Sequence, residues 1–323
     1  MKLATTTLSD RYACLSFDAM GCRFEILLNP QDSPLDRADC QAVAEEIKEL
    51  VLDWHWRLSV FESSSIVSRI NSSPAGHPLL IDQDMLDLFM LCDQLRIKTR
   101  GAFNIASGSL MNAMGFRDPS KRVALPSSFD LNNAMEIDQV NRAIVKMHDQ
   151  VSFDFGAIAK GYVLDLIAAE LCEHGISNAF IHGGTSSILA RGKNAAGHSW
   201  TSQLQNGYLL SMNNTASAIS EPQSRTCQSP TSSSDARIGH IMDPRSGTSS
   251  TNTSTMIACI HKSAAHADAY TTACCVDTSI ASELTDEQLS DENCSLLIFD
   301  SINPPVIYDP LGAVDCLLAK EPR

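Results

Sequence analysis

Strand-like and helix-like stretches interleave irregularly along this chain, and that irregular order constrains its fold more than any other feature. Residues 12–29 (YACLSFDAMGCRFEILLN) keep the two-residue period of a pleated strand on both sides of Ala19–Gly21, which predicts a hairpin. Residues 36–59 change to a helical period, with Val43, Ile47, Leu50, Val51, Trp54 and Leu58 on one stripe. The serines of FESSSIVSRINSS suit a helix start, because their hydroxyls accept backbone N–H bonds, and predict a short helix ending near Asn71. A longer helix covers 83–99 and is closed by Gly101. VSFDFG (151–156) predicts a strand running into a helix that Gly175 stops. Two strands around Gly183–Gly184, the strand MIACIHK, the helix AAHADAYTTACCVD and strands near 295–299 and 305–308 complete the order. With no internal repeat, this pattern predicts an α+β fold of mixed sheets and packed helices rather than a doubly wound sheet. No shift in composition divides residues 1–323, so one two-lobed domain is expected. Within it EPQSRTCQSPTSSSDA (221–236) is polar and reads as a mobile surface loop.

The formal charge of −14 excludes a nucleic-acid partner, since an acidic surface repels a phosphate backbone. A small anionic ligand then needs local positive potential from a metal ion, a lysine or backbone amides. The eleven cysteines are odd in number and form no CxxC pair, so they read as free thiols in a reducing compartment, not as a disulfide or zinc framework. The amino terminus lacks an apolar signal core and no long apolar run follows, which predicts a cytoplasmic protein without a membrane span.

The familiar nucleotide and hydrolase signatures are missing: no GxGxxG follows a strand, GAIAKGY is not a Walker A loop, and no GxSxG elbow occurs. Four short segments carry chemistry instead. Gly21, beside Met20, allows a ligand close to the backbone, as it would allow any hairpin turn. Asp154, Gly156, Ala157 and Lys160 lie at a strand-to-helix junction whose free N–H groups and lysine suit a pyrophosphate; an Asp cap with a solvated lysine is the plainer alternative. Asp268 and Thr272 share one helix face and offer oxygen ligands to Mg²⁺, or are merely a surface Asp and a back-bonded Thr. His240 precedes a turn fixed by Pro244 and Gly247 and suits a general base near neutral pH, or a satisfied core histidine.

Taken together and in order, the segments AMGCRFEI (19–26), FESSSIVSRIN (61–71), GAFNIASGSL (101–110), DFGAIAKGYVLD (154–165), FIHGGTSSILARG (180–192), GHIMDPRSG (239–247) and ADAYTTACCV (267–276) resemble the ApbE family of FAD:protein FMN transferases. The resemblance implies a T-fold-related architecture and roles for individual residues. Met20, Phe61, Ala102, Phe103, Asn104, Asp154, Lys160 and Ile241 match FAD contacts, with Phe61 a stacking surface for the flavin. Ala157 (through its carbonyl oxygen), Asp268 and Thr272 match magnesium ligands, and His240 matches the catalytic base. The chain departs from the family pattern at Asn104, usually Asp, at Cys22, usually Thr, and across 220–237. The implied reaction is Mg²⁺-dependent transfer of FMN from FAD to a Thr or Ser hydroxyl of an acceptor protein, with release of AMP. The alternatives are an FAD pyrophosphatase and a flavin-binding protein without turnover.

Overall fold

Eight strands form the central sheet and pair antiparallel in the order in which the chain makes them: Ala13–Ala19, Cys22–Asn29, Asn178–Gly183, Ser187–Arg191, Thr215–Ser220, Ser254–His261, Ser295–Asp300 and Val306–Tyr308. The computed structural model describes residues 11–117, 130–204, 207–228, 237–252, 254–285, 294–301 and 303–316. Helices are inserted between the strands: α1 (Arg37–Leu58), α2 (Ile66–Ser72), α3 (Gln83–Lys98), α4 (Gly108–Met114), α5 (Ala159–Glu173) and α6 (Ala264–Val276). The fold is α+β.

The first hairpin is set by its turn. Met20 and Gly21 both take positive φ, 51° and 73°, which matches the twist of a two-residue hairpin loop. Gly21 adopts this without strain, whereas Met20 is held there by its N–H, which donates to His55 Nδ1 at 3.0 Å. Both faces of the sheet are covered, so its strands read as apolar runs instead of clean alternation. Along Ser254–His261, Ile257 and Cys259 join the large core shared with the helices, while Met256, Ala258 and Ile260 join a second core with Trp200, Leu210, Met212 and Phe299. A small sheet, Trp200–Gln203, Tyr208–Met212 and Val314–Cys316, belongs to that second side. The described cysteine side chains are free thiols, and burial raises the pKa of Cys92, Cys259, Cys274 and Cys275, which keeps them protonated and unreactive.

Two expectations are corrected. VSFDFG forms no strand and joins no sheet at 151–155. Inside the polar stretch 221–236, Thr226–Gln228 forms a strand that pairs with Arg237–Gly239; residues 229–236 lie outside the described ones. Polar composition hid this ribbon, because its ladder is short and made of backbone bonds.

Helices α5 and α6 are held by an exchange of caps. Ile158 precedes α5 and supplies no side-chain cap; the Gly161 N–H donates instead to Asp268 Oδ2 of α6 at 2.6 Å. In return, Asp165 of α5 accepts from the Ala264 and Ala265 N–H groups at 2.7 and 3.0 Å and from Ser263 Oγ at 2.6 Å, closing the start of α6. The two backbones touch at this point. A Cβ on Gly161 would overlap the Ala264 carbonyl, lying 2.5 Å from its carbon and 2.7 Å from the Ala265 nitrogen. Gly161→Ala is therefore expected to cost about 2–3 kcal/mol by forcing the helices apart. A thermal unfolding midpoint equal to wild type would show that the crossing has slack.

Candidate active site

One cleft of about 350 Å³ opens where the start of α5, the segment after α3 and the loops around His240 meet. Asp154 lines it from the segment 151–155, whose backbone is paired largely by side chains in place of a neighbouring strand. Ser109 Oγ accepts from Ser152 N at 2.8 Å. Asn71 accepts from Phe153 N at 2.7 Å and donates to Phe153 O at 3.0 Å, as a strand neighbour would. Lys146, only 2% exposed, locks Asn71 in turn by donating to its carbonyl at 2.8 Å, and burial lowers the lysine's pKa. Phe153 and Phe155 anchor the segment edge-on against Phe89. Asp154 ends it: one carboxylate oxygen accepts from Gly156 N at 2.7 Å and the other pairs with Arg117.

Ala157 and Lys160, at the start of α5, line the cleft above Asp154. Helix α6 contributes Thr272 to the wall. One turn earlier Asp268 lies behind that wall, 6% exposed, with Gly161 N–H on one oxygen and Ser187 Oγ on the other at 2.9 Å. Burial raises its pKa and the nearby Lys160 charge draws it back down. The residues fit a hard divalent cation by donor type, since the Asp268 carboxylate, the Thr272 hydroxyl and the Ala157 carbonyl are all oxygen donors. A different cluster, Glu46, Glu170 and His174, sits at the far end of α5 from the cleft and is joined within itself through His174.

Ala102, Phe103 and Asn104 form the wall after α3. Phe103 N donates to Thr99 Oγ1 at 3.1 Å, which turns the chain into the cleft. The Asn104 side chain bonds through both ends: its oxygen accepts from Ala106 N at 2.9 Å and its amide donates to Leu131 O at 3.0 Å. This explains an amide where a carboxylate stands in the family pattern, since a carboxylate could make only the first bond and would set two acceptors face to face. Asn104→Asp is expected to destabilise the protein by about 1–3 kcal/mol at neutral pH. An unchanged midpoint in denaturant would show that the Leu131 contact is dispensable.

His240 and Ile241 also line the cleft. The backbone N–H of His240 donates to Arg225 O at 3.0 Å, and its ring Nδ1 is buried without a hydrogen-bond partner. Burial, followed by the Arg225 charge, lowers its pKa, so the imidazole is a free base near neutrality.

The structure thus brings Ala102, Phe103, Asn104, Asp154, Ala157, Lys160, His240, Ile241 and Thr272 to one cleft, with Asp268 directly behind it. Met20 and Phe61 do not line it: Met20 is at the hairpin tip and Phe61 is 80% exposed on the loop after α1. Sequence reasoning missed Arg117, Ser187 and Arg225, none of which stands at a readable spacing from its partner.

The sequence model of the ApbE family matches residues 20–292. The chain is 24% identical over 254 residues to an FAD:protein FMN transferase of Klebsiella pneumoniae (strain 342), covering 74% of this chain and 72% of that protein. It is 25% identical over 169 residues to one of Vibrio cholerae, covering 50% of each, so the similarity spans about half of that relative. Among solved structures, the ApbE protein of Thermotoga maritima superposes with a TM-score of 0.77 at 21% identity, over 92% of this chain and 97% of that one.

Proposed function

The chain belongs to the ApbE family, and we propose that it is a flavin transferase that moves the FMN half of FAD onto a serine or threonine hydroxyl of an acceptor protein and releases AMP. The observation that carries this reading is the presence of two groups in one cleft: Lys160 at the start of α5, and the half-buried His240, whose pKa burial lowers. The first suits a pyrophosphate and the second suits a hydroxyl that must lose its proton. The names of the relatives agree with it.

In the proposed reaction the acceptor oxygen bonds to the FMN phosphorus and the bond from that phosphorus to the bridging oxygen breaks. AMP leaves with the bridging oxygen, and His240 takes the hydroxyl proton. Lys160 and the positive end of the α5 dipole hold the phosphates in place and offset their charge. Asp268, Thr272 and the Ala157 carbonyl would hold Mg²⁺, which when bound supplies positive charge to the pyrophosphate and leaving group. Arg117 neutralises Asp154, so that this carboxylate does not repel the ligand.

Incubation with FAD and Mg²⁺, with and without an acceptor domain, tests the reading. An acceptor heavier by one FMN unit, together with AMP, both lost on chelation with EDTA, supports transfer. FMN and AMP without an adduct would replace it with hydrolysis, and intact bound FAD would leave only a binding protein.

A further inference from the structure

Arg225 lines the cleft and makes no ion pair among the described residues, whereas Lys160, which lines the same cleft, has the Asp268 carboxylate nearby. The nearby arginines are already occupied: Arg117 by Asp154, and Arg245 by Asp243 at 3.0 Å and Asp277 at 2.9 Å. In a chain of net charge −14, an exposed and unpaired guanidinium that lines a cleft is an anion-binding feature.

Its placement is fixed by register. The ribbon pairs Gln228 with Arg237, Cys227 with Ile238 and Thr226 with Gly239, and the next position sets Arg225 opposite His240, whose N–H bonds the Arg225 carbonyl. Residues directly opposite in an antiparallel pair project from the same face, which is why both line the cleft. The preceding turn, closed by Ser224 N and Oγ on the Glu221 carbonyl at 3.1 and 2.9 Å, delivers Arg225 to that position. Glu221 also lines the cleft but makes no ion pair with Arg225.

We propose that Arg225 is a substrate-binding residue that donates to a phosphate oxygen of the dinucleotide beside His240. A planar guanidinium can engage two oxygens of one phosphate, which orients the phosphorus as well as binding it. The inference rests on the flavin-transferase reading and adds to it a residue outside the segments that carry the family resemblance.

The test is the affinity for FAD, read by flavin fluorescence without turnover, in Arg225→Gln and Arg225→Lys. A charge-assisted phosphate contact predicts binding about 10- to 100-fold weaker for Arg225→Gln, with part of the loss restored in Arg225→Lys. Arg237→Ala serves as the control for damage to the ribbon, since Arg237 binds Thr226 within it. FAD affinity in Arg225→Gln equal to wild type overturns the proposal and leaves the transferase reading standing. Equal losses in Arg225→Gln, Arg225→Lys and Arg237→Ala also overturn it, by reducing Arg225 to a scaffold role. A wild type that binds FAD through Arg225 yet never transfers FMN would sink the transferase reading alone.

Discussion

His240→Ala should reduce FMN transfer by about two to four orders of magnitude while leaving FAD bound. The imidazole lines the same cleft as Lys160, and its pKa is lowered by burial, so it is neutral and able to accept a proton near pH 7. Removing the ring takes away the base and leaves Lys160, Asn104 and the α5 start in place. Adduct formation followed by mass, beside FAD affinity from fluorescence, separates the two effects. A variant that transfers at the wild-type rate would end the assignment. The same environment predicts a pH profile. Burial and Arg225 lower the pKa of His240 below the ordinary 6.5, so the neutral base persists to lower pH and activity should fall only below that value. An acid limb centred above 6.5 would contradict it.

Asp268→Asn should remove the response to Mg²⁺ and lower transfer by about 10²- to 10³-fold, because a metal supplies several kcal/mol of charge stabilisation in such chemistry. The amide keeps the shape of the carboxylate: its oxygen can still accept from Gly161 N, and its nitrogen can face Ser187 Oγ, a hydroxyl able to accept. The substitution thus removes the charge and spares the framework. Asp268→Ala is the harsher change, since it also strands the buried Gly161 N–H at a cost of about 1–3 kcal/mol. Titration of each variant with Mg²⁺ decides the matter; activity that still rises with metal in a folded Asp268→Asn protein would refute the ligand assignment.

The parts of the fold that local rules dictate were legible in the sequence. Helical periodicity placed 36–59 and 83–99 within a residue of Arg37–Leu58 and Gln83–Lys98, and the hairpin at Met20–Gly21 follows from two adjacent residues. Failures came where partners are remote. VSFDFG has a strand's alternation, but its hydrogen bonds go to Asn71 and Ser109, which no local pattern links to it. Arg225 sits in a polar stretch that composition assigns to a loop, and only the register with Gly239 shows what it opposes. The cleft residues were recognisable because they fall within short segments in a fixed order. The pairing of Asp154 with Arg117 and of Asp268 with Ser187 depends on how the chain folds back and left no trace in spacing.

The mutual capping of α5 and α6 ties what the protein does to how it holds together. Asp268 closes the start of one helix from within the other, and Asp165 returns the bond. Neither helix can fray at its start without uncapping its neighbour, so the pair melts as a cooperative unit. The consequence is evolutionary: the carboxylate assigned to the metal is also a fastening of the framework. A lineage that abandoned the chemistry would still be selected to keep Asp268, and its persistence in a relative is no proof that the relative is active.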